Sequence, residues 1–121
     1  MSKTIMTVDD SASMRQMVRL TLAGAGYDVV EAAHGQDALD KVGSAVPSMV
    51  VTDLNMPVMD GLTLIRNLRA LSSFKGVPIV FLTTESDETK KREAKEAGAT
   101  GWLTKPFKQE QLLAVVKKVL G

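Results

Sequence analysis

The sequence predicts an α/β fold in which helices cover both faces of a doubly wound, five-stranded parallel sheet. Two observations lead to this prediction. Short apolar runs alternate with amphipathic stretches five times along the 121 residues, and neither a linker rich in Pro, Gly and Ser nor a repeat of fixed period interrupts them. Because right-handed crossovers between parallel strands leave few other arrangements, this alternation favours one layered domain.

The predicted elements follow one another along the chain. Strands are expected near residues 4–8, 27–31, 49–53, 77–82 and 100–104, and helices near residues 12–25, 36–45, 61–71, 87–97 and 108–120. Gly26 and Gly98 each follow a helix, where glycine readily adopts the left-handed conformation that ends it. These glycines therefore mark turns from a helix into the next strand.

Helical periodicity predicts which side chains are buried and which face water. In the first helix the buried stripe is expected to contain Met14, Met17, Val18, Leu20, Thr21 and Leu22. The residues of that helix expected to face water are Arg15, Gln16 and Arg19. In the fourth helix a solvated basic face is expected from Lys90, Lys91, Arg92 and Lys95. The single histidine, His34, is expected at a solvated loop position without a functional role.

The composition is that of an ordinary soluble domain, with 45% hydrophobic and 24% charged residues. Fifteen basic and fourteen acidic residues are interspersed, so neither nucleic acid nor a membrane surface is an expected partner. The absence of cysteine excludes disulfides and thiolate metal sites. The first apolar stretch is too short for a signal peptide or a membrane span. We therefore expect a cytoplasmic protein.

Carboxylates follow two of the predicted strands. Asp53 ends the apolar run 49–52, and Asp9 and Asp10 end the run 4–8. Open α/β sheets bind ligands at the carboxyl ends of their strands, where these acids meet if the first and third strands are neighbours. Hard oxygen ligands without a His or Cys cluster indicate Mg2+. Because clustered acids repel one another, at least one of them is expected to titrate high without a compensating cation.

Polar side chains also follow the fourth and fifth predicted strands. Lys105 comes directly after the fifth strand and is the candidate compensating cation, with Pro106 turning the chain. Thr83 and Thr84 follow the fourth strand, where their hydroxyls can bind a phosphoryl oxygen. Taken singly, such residues are usually solvated, capping or turn residues, and Asp9 and Asp10 alone are more often helix caps. Their shared edge of the sheet is what indicates a site.

Together these residues resemble the receiver domain of two-component response regulators, and specifically the single-domain chemotaxis regulators of the CheY type. The matching segments run from end to end of the chain and are Val8-Asp9-Asp10-Ser11, Asp53-Leu54-Asn55-Met56-Pro57, Asp60-Gly61, Leu82-Thr83-Thr84-Glu85, Ala97-Gly98-Ala99 and Lys105-Pro106-Phe107. The resemblance implies a flavodoxin-like sheet with strand order 2-1-3-4-5, the known order of that family. It also implies a single receiver domain over residues 1–121 with no output domain.

The resemblance further implies that a histidine kinase of the CheA type phosphorylates Asp53. Mg2+ would be held by Asp10, Asp53 and the backbone carbonyl of Asn55, with Asp9 acting through water. The hydroxyl of Thr83, the ammonium of Lys105 and the backbone amide of Thr84 would hold the phosphoryl oxygens. The protein would then catalyse only its own phosphorylation and dephosphorylation and is not otherwise an enzyme.

The signal of such a regulator must leave through its own surface, so a protein partner is expected. The expected target is a flagellar motor switch protein or another protein, the expected state is a monomer, and a phosphatase is a candidate additional partner. The expected partner surface contains Glu85, Lys90, Trp102 and Lys108. Trp102 stands where receiver domains commonly have Tyr or Phe, and its size predicts that it stays exposed or half-exposed. Asn55 and Glu85 match positions that tune dephosphorylation.

Three alternatives remain open from the sequence. A regulator with the same site can act as a phosphate sink or a phosphorelay intermediate. A phosphohydrolase of the haloacid dehalogenase type also forms an aspartyl phosphate, but Asn55 stands where that chemistry needs a second Asp as general acid and base. A nucleotide or flavin module would use residues 24–26 as a phosphate loop, but this glycine pair leads from helix into strand, the reverse of the required order.

Overall fold

The structure is a computed structural model that describes residues 3–43, 45–54, 56, 59–84 and 88–120. The elements in chain order are β1 (Thr4–Val8), α1 (Ala12–Gly24), β2 (Asp28–Ala32), α2 (Gly35–Val42), β3 (Met49–Asp53), α3 (Gly61–Arg69), a short 3-10 helix (Ser72–Phe74), β4 (Ile79–Thr84), α4 (Glu88–Glu96), β5 (Gly101–Lys105) and α5 (Gln109–Leu120). Each predicted strand and helix is present, with ends shifted by a few residues. Among the described residues, none of the helices has the length and apolar character needed to cross a membrane.

The five strands form one parallel sheet in the order β2-β1-β3-β4-β5. The predicted fold class and the strand order implied by the resemblance are therefore confirmed. In this order β1 and β3 are neighbours, which brings the acids after them together. The register places Asp53 opposite Leu82 and Thr84 opposite Lys105. The ends of β3, β4 and β5 consequently lie along one edge of the sheet.

Side chains alternate between two hydrophobic clusters, one on each face of the sheet. On β1, for example, Ile5 belongs to the cluster that includes residues of α1 and α5, whereas its neighbour Met6 belongs to the cluster that includes residues of α2, α3 and α4. Both residues are almost fully buried, as a strand covered on both faces requires. This packing makes the sheet a rigid platform for the residues at its edge.

The helix ends follow the local chemistry of their residues. Ser11 and Asp60 are the N-caps of α1 and α3 and accept hydrogen bonds from the amides three residues later. Gly26 and Gly98 have φ values of 97° and 115°, which confirms the left-handed turns. His34 lies in the loop before α2, as predicted, but it is partly buried rather than solvated, and its Nδ1 caps α2 by accepting a hydrogen bond from the amide of Asp37 at 3.2 Å.

Two burial predictions were also wrong. Leu20 is 54% exposed, because the buried face of α1 runs through Val18, Thr21 and Leu22 at helical spacing and Leu20 lies on another side. Lys91 is only 8% exposed rather than solvated. A lysine can bury its aliphatic stem while its charged end remains paired, and Lys91 Nζ lies 3.4 Å from Glu88 Oε1.

Candidate functional site

Three carboxylates meet at the carboxyl ends of β1 and β3. Asp9, Asp10 and Asp53 each offer an oxygen, and these oxygens lie within 4.8 Å of one another. Asp9 and Asp53 are buried, whereas Asp10 is exposed. A group of hard oxygen atoms at this spacing can coordinate a divalent cation. The structure thus brings together the three acids that the sequence analysis placed at one edge.

Asp9 is a buried acid whose carboxylate is only partly hydrogen-bonded among the described residues. Its Oδ1 accepts a hydrogen bond from the Ser11 amide at 2.9 Å, but its Oδ2 is buried and has no hydrogen-bond partner among the described residues. Burial raises the pKa of Asp9 above its usual value, and the Asp53 carboxylate adds to this while the Ser11 amide opposes it. The predicted high-titrating acid is therefore Asp9.

The compensating cation comes from the end of β5. Lys105 Nζ lies 3.2 Å from Asp53 Oδ1 in a pair whose two side chains are 24% and 8% exposed. Because β4 separates β3 from β5 in the sheet, the lysine side chain spans one strand to reach the carboxylate. The resulting arrangement presents a buried carboxylate with a positive charge on one side and two further acids on the other.

Two threonines end β4 between the carboxylate and the lysine. Thr83 is 1% exposed, and its hydroxyl contacts the carbonyl oxygen of Thr84 at a long 3.4 Å. Thr84 is exposed and ends the strand opposite Lys105. Both residues belong to the strand rather than following it. The Thr83 hydroxyl therefore has a weak internal hydrogen bond that a stronger acceptor, such as a phosphoryl oxygen, can replace.

A close backbone approach at the start of α3 is a feature that the sequence analysis did not predict. A Cβ atom on Gly61 would lie 2.1 Å from the carbonyl oxygen of Asp53 and 2.7 Å from Cα of Leu54. The Gly61 amide also donates to the Leu54 carbonyl oxygen at 2.9 Å. Only glycine fits at this position, and the helix thereby braces the backbone of the central carboxylate.

The contacts of Arg15 were also not predicted from the sequence, and they show that one prediction was wrong. Arg15 was expected to face water, but its side chain is 20% exposed and its Nη1 donates to the carbonyl oxygen of Asp9 at 2.6 Å. The guanidinium is drawn inward because Glu31 on β2 offers it a carboxylate at 3.2 Å. Helical periodicity carries no information about such a contact between separate elements.

Trp102, which is expected to bind a partner, lies on β5 with its indole ring partly exposed. Trp102 is 40% exposed and stacks on Phe81 with 6.3 Å between ring centroids. The ammonium of Lys95 lies 4.8 Å from the centroid of the indole ring, and that of Lys91 lies 5.9 Å away. Lys90 is exposed.

Three predicted site residues remain, and the structure describes only Lys108 among them. Lys108 is exposed just before α5. Asn55 and Glu85 lie outside the described residues. Asn55 was predicted to supply a metal ligand, Glu85 to belong to the partner surface, and both to tune dephosphorylation. Their roles stay predictions.

Comparison with known proteins places these features in a family. The family profile of the response regulator receiver domain matches residues 5–117. The chain is 40% identical to the chemotaxis protein CheY1 of Helicobacter pylori over 97% of its length and 96% of that protein. It is 36% identical to a CheY homolog of Campylobacter jejuni over 97% of its length and 92% of that protein. The structure matches that of the chemotaxis response regulator CheY4 of Vibrio cholerae with a TM-score of 0.94 and 47% identity, covering 99% of this chain and 100% of that one. This chain therefore belongs to the response regulator receiver family and, within it, resembles the single-domain CheY-type regulators.

Proposed function

We propose that this protein is a stand-alone chemotaxis response regulator that is phosphorylated on Asp53 by a histidine kinase. Receiver domains are signalling modules with an acidic Mg2+ pocket, and they interact with histidine kinases and other proteins. The observation that carries the proposal is the meeting of Asp53 with Lys105 on one side and Asp9 and Asp10 on the other. The similarity over nearly the full length of CheY-type proteins supports the chemotaxis role.

The donor set fits a magnesium ion. The buried Oδ2 of Asp9 lacks a hydrogen-bond partner among the described residues, so this acid offers an oxygen whose need for a positive partner the described part of the fold does not meet. We assign the ion to Asp10, Asp53 and the Asn55 backbone carbonyl, with Asp9 acting through water. When bound, the ion neutralises charge on the phosphoryl oxygens and on the clustered carboxylates.

In the proposed reaction an Asp53 carboxylate oxygen attacks the phosphorus of a phosphohistidine. The new O–P bond forms as the P–N bond breaks, and the electron pair of that bond remains on the departing imidazole, which takes up a proton. The Lys105 ammonium, 3.2 Å from Asp53 Oδ1, is placed to attract the phosphoryl oxygens as charge builds on them. The Thr83 hydroxyl and the Thr84 amide are proposed as further donors. In dephosphorylation a water oxygen attacks the same phosphorus, the bond from the Asp53 oxygen to phosphorus breaks, and inorganic phosphate leaves with the Asp53 carboxylate restored.

The output is proposed to pass to a protein through the face formed by α4, β5 and α5. Trp102 and the exposed Lys90 and Lys108 belong to this face, and an open groove of about 480 Å³ between β5 and α5 is lined in part by Trp102 and Val115. The indole offers a large apolar surface beside positive charge, which suits an acidic partner segment. Replacing Trp102 by Ala should leave phosphorylation intact and weaken partner binding. Unchanged partner affinity would contradict the assignment of Trp102 to the partner-binding face.

Partner binding also separates a motor regulator from a phosphate sink. The experiment measures the affinity of the protein, with and without beryllofluoride, for a flagellar motor switch protein and for a CheA-type kinase. Binding of the switch protein that depends on beryllofluoride supports the chemotaxis output. Binding of the kinase alone would favour the sink or relay role instead. We further propose that residues 1–121 act as one monomeric receiver unit in the cytoplasm, with a phosphatase as a candidate additional partner.

A further inference from the structure

Arg15 connects three parts of the molecule at one guanidinium group. From the start of α1 its Nη1 donates to the carbonyl oxygen of Asp9 at 2.6 Å, while its Nε lies 3.2 Å from Oε1 of Glu31 on β2. The Arg15 side chain is 20% exposed, so solvent competes little for these bonds. The loop between β1 and α1 is thereby tied to the neighbouring strand.

Other bonds hold the rest of Asp9. Its amide donates to the Ala32 carbonyl oxygen at 3.1 Å, and its Oδ1 accepts from the Ser11 amide at 2.9 Å. The Asp9 carbonyl that Arg15 binds belongs to the planar peptide group that joins Asp9 to Asp10. Arg15 therefore fixes the orientation of the one peptide that links two of the three clustered acids.

We infer that Arg15 is a positioning residue for the cation site, because by holding the Asp9–Asp10 peptide it aims two carboxylates at one ion and so strengthens Mg2+ binding. The inference rests on the Mg2+ site proposed above and identifies what organises it. Groups that orient metal ligands without touching the metal typically change metal affinity about 10- to 100-fold when they are removed. The contact to the backbone of Asp9 places Arg15 among such groups.

Simple electrostatics predicts the opposite change in Mg2+ affinity when Arg15 is replaced by Ala. Arg15 carries a positive charge near a cation site, so its removal would tighten Mg2+ binding if charge alone mattered. Arg19 offers a matched control, because its Nε lies 3.1 Å from Oε2 of the same Glu31 carboxylate. Among the described residues, Arg19 makes no hydrogen bond to Asp9. The two arginines thus share Glu31 as a partner and differ in the contact to the Asp9 carbonyl oxygen.

The test measures Mg2+ dissociation constants by titration calorimetry for the native chain and for Arg15→Ala, Arg15→Lys and Arg19→Ala. We expect about tenfold weaker binding in both Arg15 variants. Lysine retains the charge but has no planar fork to hold a carbonyl and a carboxylate together. Arg19→Ala should bind Mg2+ within about twofold of the native chain, since exposed ion pairs contribute little. Thermal unfolding in EDTA reports whether each metal-free variant is folded.

Native affinity in Arg15→Lys, or equal affinity in Arg15→Ala and Arg19→Ala, would overturn the inference. If Arg15→Ala does not fold, Arg15→Lys decides the question. Loss of folding in both Arg15 variants would also overturn it, because the contact would then be a requirement of the fold rather than of the cation site. A native chain that binds no Mg2+ would overturn the proposed site and the inference together, whereas normal native binding with unaffected variants removes only the role of Arg15.

Discussion

Replacing Asp9 by Asn should stabilise the metal-free protein at neutral pH and abolish most of its stabilisation by Mg2+. The ionised Asp9 carboxylate is buried beside Asp53, and its Oδ2 has no hydrogen-bond partner among the described residues. An amide has nearly the same shape, and its oxygen can still accept the bond from the Ser11 amide. The substitution therefore removes a charge without opening a cavity.

The magnitude follows from the separation of the acids. Two unit charges 4.8 Å apart, the limit for the oxygens of Asp9 and Asp53, repel by about 3 kcal/mol at an effective dielectric constant of about 20. Lys105 offsets part of this repulsion, since it lies 3.2 Å from Asp53 Oδ1. We therefore expect a net gain of about 1–2 kcal/mol in the free energy of unfolding. For a domain of this size that corresponds to roughly 4–8 °C in Tm.

The pH dependence of folding stability predicts independently that Asp9→Asn is stabilising. The pKa of Asp9 is raised in the folded state, so between its ordinary value and its folded value the folded state binds more protons than the unfolded state. Native stability must then fall as pH rises through that window, and the penalty is complete only above the folded pKa of Asp9. The advantage of Asp9→Asn should shrink as pH is lowered through the folded pKa of Asp9. Thermal unfolding from acidic to neutral pH, with EDTA or Mg2+, measures both effects.

Asp37→Asn is the matched control with the opposite expectation. The amide of Ala33 and the ammonium of Lys41 hold the pKa of Asp37 below its usual value. The ionised Asp37 carboxylate therefore stabilises the fold above its unfolded pKa, and this stability is lost as pH falls through the folded pKa. Asp37→Asn should destabilise the protein at neutral pH and leave its Mg2+ response intact. If Asp9→Asn were also destabilising at neutral pH without metal, the account of a strained buried acid would be wrong.

Two further predictions follow from contacts outside the acid cluster. Gly61→Ala should destabilise the fold by about 1–3 kcal/mol, since its Cβ would lie 2.1 Å from the Asp53 carbonyl oxygen, whereas Gly76→Ala, with nothing within 4 Å, should be nearly neutral in urea unfolding. Equal effects of the two changes would contradict the close-approach argument. Lys95→Met should shift the fluorescence emission of the single tryptophan, Trp102, because it removes an ammonium 4.8 Å from the indole centroid. An unchanged emission spectrum would count against the cation–π contact.

The alternation of apolar runs predicted β1, β3 and β4 most directly, because strands buried on both faces are hydrophobic almost throughout. The end of β4 shows where that signal stops. The strand was expected to end near residue 82, but it continues through Thr84 because Thr83 and Thr84 pair with Thr104 and Lys105 of β5. Backbone pairing between polar residues leaves no trace in hydrophobic periodicity. Thr83 and Thr84 consequently lie within the sheet rather than in the loop that follows it.

The acids and the lysine of the site could be predicted because each directly follows or ends an apolar run. Arg15, His34 and Lys91 could not, since each acts through a contact rather than through its place in a pattern. Arg15 binds the carbonyl oxygen of Asp9, and His34 caps α2, which begins at the next residue. Lys91 is buried beside the indole ring. Contacts of this kind depend on the packing of separate elements and appear only in three dimensions.

The central claim is that Asp53 accepts a phosphoryl group with the help of Mg2+. Intact mass spectrometry after incubation with acetyl phosphate tests this most directly, comparing the native chain, Asp53→Asn and a native sample without Mg2+. We expect one added phosphoryl group in the native chain with Mg2+ and none in the other two samples. An adduct that persists in Asp53→Asn, or a native chain that forms neither an adduct nor a beryllofluoride complex, would contradict the claim.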